Sequence, residues 1–332
     1  MAKAGGRSRR MSAGADPNEI IPSLLTLPTG RRVRWYFELT VSPGFDSEIP
    51  LGMPQKECQD EGTIIRNFAG DPNLVFLGVF DGHGSQGLKA SRYTVVHLPE
   101  RIANHPQLLN NPQLAYMEAC REVGAELLNQ AVCGFDGTYS GTTACFAVLQ
   151  GATTLVLGNV GDSRAIVARA QSNGTIMGVD LTHDDKPTDE PEKRRIEASG
   201  GRVAQQEYDP GEFDGPFRVF VRDKKIPGLA MSRSLGDGLA ESVGVIPDPT
   251  CSNYQIRPDD KFLLLATDGL WEVFDTNEAA VWAHKYMSTP ENMARMCVSQ
   301  AIAEEAQRRW TRMDEDCVVD DTTVLIVRLR QK

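Results

Sequence analysis

Three strongly apolar stretches of this chain end, or begin, on aspartate. "VFLGVFDGHG" (Val75–Gly84) stops on Asp81 and His83, "FLLLATDGLW" on Asp268, and "DDTTVLIV" starts with Asp320 and Asp321. Carboxylates and backbone carbonyls are the ligands that hard divalent cations take. If these strand ends converge, the acids repel one another unless cations offset their charge. A pair of Mg²⁺ or Mn²⁺ ions is the natural resolution, and such a pair ionises water and polarises a phosphoryl group. Glycine follows Asp81 and Asp268, which lets the chain bend and leaves the Gly82 carbonyl open as a ligand. His83 beside such a centre has the chemistry of a general acid for a leaving alkoxide. Read singly, each Asp-Gly pair is more often a turn, and a histidine beside glycine is more often a surface residue.

The elements that would position these groups follow from the apolar pattern. "RVRWYFELTV" (Arg32–Val41) reads as a strand. "DEGTIIRNF" and "NLVFLGVFD" read as a strand pair around the turn "AGDPN". The stretch from Gly84 to about Asn104 is helical in pattern. A second helix starts at Pro112, capped by Asn111. "TTACFAVLQ", "TTLVLGNVG" and "SRAIVARA" are short strands expected to form one antiparallel meander. "EPEKRRIEASGG" is a short helix ended by Gly200 and Gly201, and residues 205–228 read as polar loop. After the strand that stops on Asp268, helices are expected at Thr276 to about Tyr286 and Pro290 to about Trp310, then a last strand. The order predicts two packed antiparallel sheets with helices outside, or alternatively an α+β domain with one sheet.

Composition narrows the function. The 332 residues carry a net charge of −10, which argues against a general nucleic-acid binder but leaves a locally cationic site open. Seven cysteines occur without CxxC or zinc spacing, so reduced thiols in cytoplasm or nucleus are expected. No apolar run reaches the ~20 residues that cross a bilayer, and the basic start "MAKAGGRSRRMSAG" lacks the apolar region of a secretory signal. Residues 1 to about 30 are expected to be a disordered basic tail, with one catalytic domain over 31–332.

Nine segments in order resemble the metal-dependent serine/threonine phosphatases of the protein phosphatase 2C family. They are "QD" (Gln59, Asp60), "VFDGHG", "SGTTA" (Ser140–Ala144), "GNVGDSRAI" (Gly158–Ile166), "LTHDDKP" (Leu181–Pro187), "RIEASGGRV" (Arg195–Val203), "LAMSRSLGD" (Leu229–Asp237), "LLATDGLWEV" (Leu264–Val273) and "DDTTVLIV" (Asp320–Val327). The resemblance implies an α+β fold, a central antiparallel β-sandwich flanked by helices in four layers, α-β-β-α. It implies a Mg²⁺ or Mn²⁺ centre of two ions, with a third, weaker site. Asp81 would bridge the two ions, the Gly82 carbonyl would bind one, and Asp268 and Asp320 the other. Asp60 would orient water from the outer shell, Asp162 and Glu272 would serve the third ion, and His83 would be the general acid. The implied reaction is direct hydrolysis of phosphoserine and phosphothreonine in protein substrates by a metal-bridging hydroxide, without a phosphoenzyme.

Some positions depart from the family pattern. Its phosphate-binding arginine falls at Gln55 here, leaving Lys56 as the phosphate ligand. Glu272 stands in place of the usual Asp, and Asp185 in place of a common His. "SGTTA" and "GNVGDSRAI" are expected to supply turns and packing. Residues 205–228 fall where the family carries a variable flap. Cysteine-based phosphatase chemistry, which needs a Cys-x₅-Arg loop, is not expected. A monomer is expected. A pseudophosphatase of the same fold and a phosphatase for small esters are the alternatives.

Overall fold

The computed structural model describes residues 10–11, 21–26, 32–46, 55–209, 211–313 and 318–330. In chain order the main strands are β1 (Ile21–Thr26), β2 (Arg32–Ser42), β3 (Asp60–Arg66), β4 (Leu74–His83), β5 (Ala144–Gln150), β6 (Thr154–Val160), β7 (Arg164–Ala170), β8 (Ile176–Asp180), β9 (Gly201–Asp209), β10 (Glu212–Val221), β11 (Pro227–Leu229), β12 (Thr250–Gln255), β13 (Asp260–Ala266) and β14 (Thr322–Arg330). The main helices are α1 (Gly87–Asn104), α2 (Pro112–Leu127), α3 (Glu190–Ala198), α4 (Thr276–Met287) and α5 (Val298–Met313). One sheet runs β3-β4-β5-β6-β12, and the other runs β8-β7-β13-β14-β2-β1. Every pairing within these two runs is antiparallel.

Both faces of each sheet are buried, so the central strands read as unbroken apolar runs. In β4, Val75, Leu77 and Val79 point into the interior between the sheets, while Phe76 and Phe80 pack with Leu98 of α1 and Tyr116 of α2. In β13, Leu263 and Leu265 point inward, and Phe262, Leu264 and Ala266 pack with Ala280 of α4 and Ile302 of α5. The two-residue period thus assigns alternate side chains to two cores. The result is the four-layered antiparallel sandwich with helices outside.

Four expectations need correction. Within the stretch read as a disordered tail, Arg10–Met11 and Ile21–Thr26 are paired strands, β1 lying antiparallel on β2; the rest of residues 1–30 lies outside the described residues, as does Cys317. The three-strand meander breaks after β6: β7 crosses to the other sheet through a turn at Gly161, whose φ of 98° needs glycine. Within the stretch 205–228 read as a loop, 205–209, 212–221 and 227–228 belong to a three-stranded sheet, β9-β10-β11. The helix expected from Pro290 to Trp310 is two helices, Pro290–Arg295 and α5, parted by an extended Met296. Glu38 causes that break. Its buried carboxylate accepts hydrogen bonds from the Val298 and Ser299 N–H groups at 2.9 and 3.3 Å, capping α5 as a new start.

Candidate active site

The acids meet because register and sharp turns bring four strand ends to one end of the sandwich. Asp60 and Asp81 stand opposite each other on β3 and β4. Asp268 opens the short helix Asp268–Trp271 directly after β13, and Asp320 and Asp321 precede β14, the antiparallel neighbour of β13. Gly269 makes this junction possible, since a Cβ there would collide with the Asp321 carbonyl oxygen.

The Asp81 and Asp268 carboxyls are neighbours at this end and act electrostatically on each other. Burial first, then the neighbouring acids, push both well above the usual carboxylate range. Asp60 is pushed up to about 7 by burial and by Asp321. Its Oδ2 accepts a hydrogen bond from Thr267 Oγ1 at 2.8 Å, and Thr267 Oγ1 accepts one from the Thr323 N–H at 2.9 Å. Gly82 is buried, and its N–H donates to the Gln59 carbonyl at 3.2 Å. Among the described residues no three acidic, histidine or cysteine side chains close into a finished cage. Asp320 is turned toward Lys56, whose Nζ lies 2.7 Å from Asp320 Oδ1 and 3.7 Å from Asp321 Oδ1. Asp321 is structural, accepting the Gly44 and Gln59 N–H groups at 2.6 and 2.9 Å.

The arrangement fits divalent cations. Asp60 Oδ1 and Asp268 Oδ1 are buried oxygens without a hydrogen-bond partner, and the Asp81 and Asp268 carboxyls repel each other. Asp81, Asp268 and Asp320 belong to this cluster, and Gly82 follows Asp81 directly in the chain. The fit is poorer at Asp162 and Glu272, where Lys186 Nζ lies 2.7 Å from Asp162 Oδ2.

Sequence reasoning missed the partner of His83. Its Nε2 lies 2.5 Å from Asp237 Oδ2, and Ser234 Oγ donates to the same oxygen at 2.6 Å. Burial disfavours the imidazolium, but the Asp237 carboxylate outweighs it and raises the His83 pKa. A Cβ at residue 141 would overlap the Asp237 carboxylate, so Gly141 leaves the room this pair needs. Asp237 closes "LAMSRSLGD", a segment noticed in the sequence without a role for its acid. "SGTTA" does more than turn the chain. Thr143 holds the backbone of Asp81 on both sides, its N–H donating to the Asp81 carbonyl at 2.8 Å and its Oγ1 accepting from the Asp81 N–H at 3.0 Å. Ser163 Oγ lies 2.7 Å from Thr143 Oγ1.

The spacing Cys-x₅-Arg does occur once, at Cys251 and Arg257. Cys251 lies on the extended strand β12, which carries the arginine away from it, and burial pushes its thiol up to about 11. That excludes a phosphate-cradling thiolate loop.

The sequence profile of the family "Protein phosphatase 2C" matches residues 53–310, which include Asp60, Asp81, His83, Asp162, Asp237 and Asp268. The chain belongs to the protein phosphatase 2C family. It is thereby an enzyme of the metal-dependent serine/threonine phosphatases. It is 33% identical over 292 residues to probable protein phosphatase 2C 35 of Arabidopsis thaliana, spanning 84% of this chain and 80% of that one. It is 31% identical over 310 residues to probable protein phosphatase 2C 72 of the same plant, spanning 87% and 89%. The fold is shared with a crystal structure of serine-threonine phosphatase 2C from Toxoplasma gondii, at a TM-score of 0.73 and 20% identity over 95% of this chain and all of that one. No helix among the described residues is long and apolar enough to cross a membrane.

Proposed function

We propose that this phosphatase hydrolyses phosphoserine and phosphothreonine esters of proteins directly, without a phosphoenzyme. The observation that carries this is the closeness of the half-buried Asp81 and Asp268 beside buried, unpartnered carboxylate oxygens, in a member of this family. Asp81, the Gly82 carbonyl, Asp268 and Asp320 would hold two Mg²⁺ or Mn²⁺ ions. Bound there, the ions supply ionised water and neutralise charge on the phosphoryl oxygens.

The remaining steps fall to side chains. Asp60, fixed by Thr267, orients water through its free Oδ1. Lys56, half-buried beside Asp320, meets the phosphate as a point charge in place of an arginine fork. His83, held protonated and oriented by Asp237 Oδ2 against its Nε2, supplies the proton for the departing serine or threonine oxygen. The β9-β10-β11 sheet flanks the cleft: Arg218 of β10 acts electrostatically on Glu272, and Phe213 and Phe217 stand exposed for the residues around the phosphosite.

Hydrolysis of p-nitrophenyl phosphate and of a phosphoserine peptide, each with Mn²⁺ and with EDTA, tests the reading. Metal-dependent turnover of both, abolished together with Mn²⁺ binding by Asp81→Ala, is expected. Turnover that survives EDTA or Asp81→Ala refutes it, and preference for metabolite esters over phosphopeptides refutes the substrate class.

A further inference from the structure

The Asp162 corner of the cleft is constructed around a side-chain cation. Asp162 is buried in the turn between β6 and β7, and Lys186 reaches it from the segment before α3. Two backbone-anchored links lace these segments together. The Asp185 N–H donates to the Gly161 carbonyl and the Gly161 N–H to Asp185 Oδ2, each at 2.9 Å. Asn159 Nδ2 donates to the His183 carbonyl at 3.1 Å. Beside them, Asp184 takes Arg164 through two hydrogen bonds at 2.9 and 2.7 Å, and that guanidinium lies over Trp271, next to Glu272. The lysine therefore projects from a rigid support, and its Nζ sits 2.7 Å from Asp162 Oδ2. Burial disfavours the ammonium, yet Asp162 with Asp184 and Asp268 outweighs burial and holds its pKa up. Glu272 is within electrostatic reach of both Lys186 and Asp162.

We infer that the Lys186 ammonium is the resident cation of this corner, in the place where the family resemblance put a third metal ion, and that the chain takes up two divalent ions and not three. This rests on the dinuclear reading above. A divalent ion on Asp162 would share a buried carboxylate with an ammonium already in contact with it, and like charges at that separation exclude one another. One Asp162 oxygen is committed to the lysine, leaving Oδ1 alone to offer. Glu272 restores no aspartate geometry.

The test counts Mn²⁺ bound to the full chain, by equilibrium dialysis and by electron paramagnetic resonance of the free ion up to millimolar concentration. The wild type is expected to bind two ions, and Asp162→Asn also two. Lys186→Met, which keeps the aliphatic stem and removes the charge, is expected to bind three, with Lys186→Gln as the second variant. In both lysine variants the third ion is expected at least tenfold tighter than any further binding to the wild type. Three ions on the wild type falling to two in Asp162→Asn overturns the inference, as does a count of two in a folded lysine variant. Fewer than two on the wild type refutes the dinuclear reading, and this inference with it.

Discussion

Asp237→Asn separates orientation of the acid from the rest of the site. The change is nearly isosteric, and it removes the charge that lies 2.5 Å from His83 Nε2 while leaving an oxygen able to accept from Ser234. The Asp237 side chain is 5% exposed, so solvent does little to screen the lost interaction. A positioned acid contributes roughly 10²–10⁴ in rate, about 3–5 kcal/mol at 1.36 kcal/mol per tenfold. Asparagine can also donate its amide to Nε2 and fix the wrong tautomer. The kcat on a phosphoserine peptide should therefore fall by about 10²-fold or more, because a serine alkoxide is a poor leaving group without a proton. On p-nitrophenyl phosphate, whose phenolate leaves unaided, the loss should stay below about tenfold. Mn²⁺ binding and melting temperature should match the wild type. Adding Asp237→Asn to His83→Ala should cost the peptide reaction little more, since the two act as one unit. Equal losses on both substrates, or additive losses in the double variant, would refute the assignment of the shared proton to leaving-group protonation.

Three further outcomes follow. Asp81→Asn should abolish Mn²⁺-dependent turnover and, in EDTA, raise the melting temperature, because the repulsion between two neighbouring acids is relieved. Glu38→Ala should destabilise the fold by about 3–5 kcal/mol in urea unfolding, leaving the Val298 and Ser299 N–H groups uncapped and Arg328, 2.8 Å from Glu38 Oε1, unpaired. Asp185 is pushed up to about 7, by burial against the opposing pull of Arg233. A carboxyl raised on folding contributes stability at low pH that is lost as pH rises through the folded value, so between pH 6 and 8.5 the wild type should lose about 1.4 kcal/mol more than Asp185→Asn.

The acids were legible because chemistry and periodicity coincide at them: one apolar strand stopping on Asp-Gly is a turn, but three apolar strands with aspartate at an end are less readily explained that way. The two sheets were legible for the same reason, as each central strand needs two apolar faces. Interactions far apart in sequence were not legible. Nothing near Met296 announces a helix break, because the cause is Glu38, 260 residues away from Val298 in the chain. Nothing near His83 announces Asp237, 154 residues on. The crossing of β7 to the second sheet rests on one turn, at Gly161, that an antiparallel meander would also accept. Exposed and polar residues made residues 205–228 look like a loop, although Glu212–Asp214 carry exposed side chains in a paired strand. A sheet that stands away from the sandwich buries only one narrow face, so its apolar period is weak.

An acidic chain that acts on phosphate has an electrostatic problem, and the two lysines define its scale. Asp60, Asp81, Asp162, Asp268 and Asp320 share one end of the sandwich with Lys56 and Lys186. Two ammonium groups cannot offset those acids and also attract a phosphate dianion. Protons are one answer, and the raised pKa values of Asp60, Asp81 and Asp268 show the chain drawn toward it. Protonated carboxyls, however, leave no positive charge for substrate. Divalent ions held by these acids would displace those protons and reverse the sign of the cleft, so metal uptake should release protons and strengthen as pH rises. Lys56 and Lys186 would then serve at the margins, one toward the phosphate and one toward the corner where a third ion would stand. On the proposed dinuclear reading, the central acids would be left to two ions.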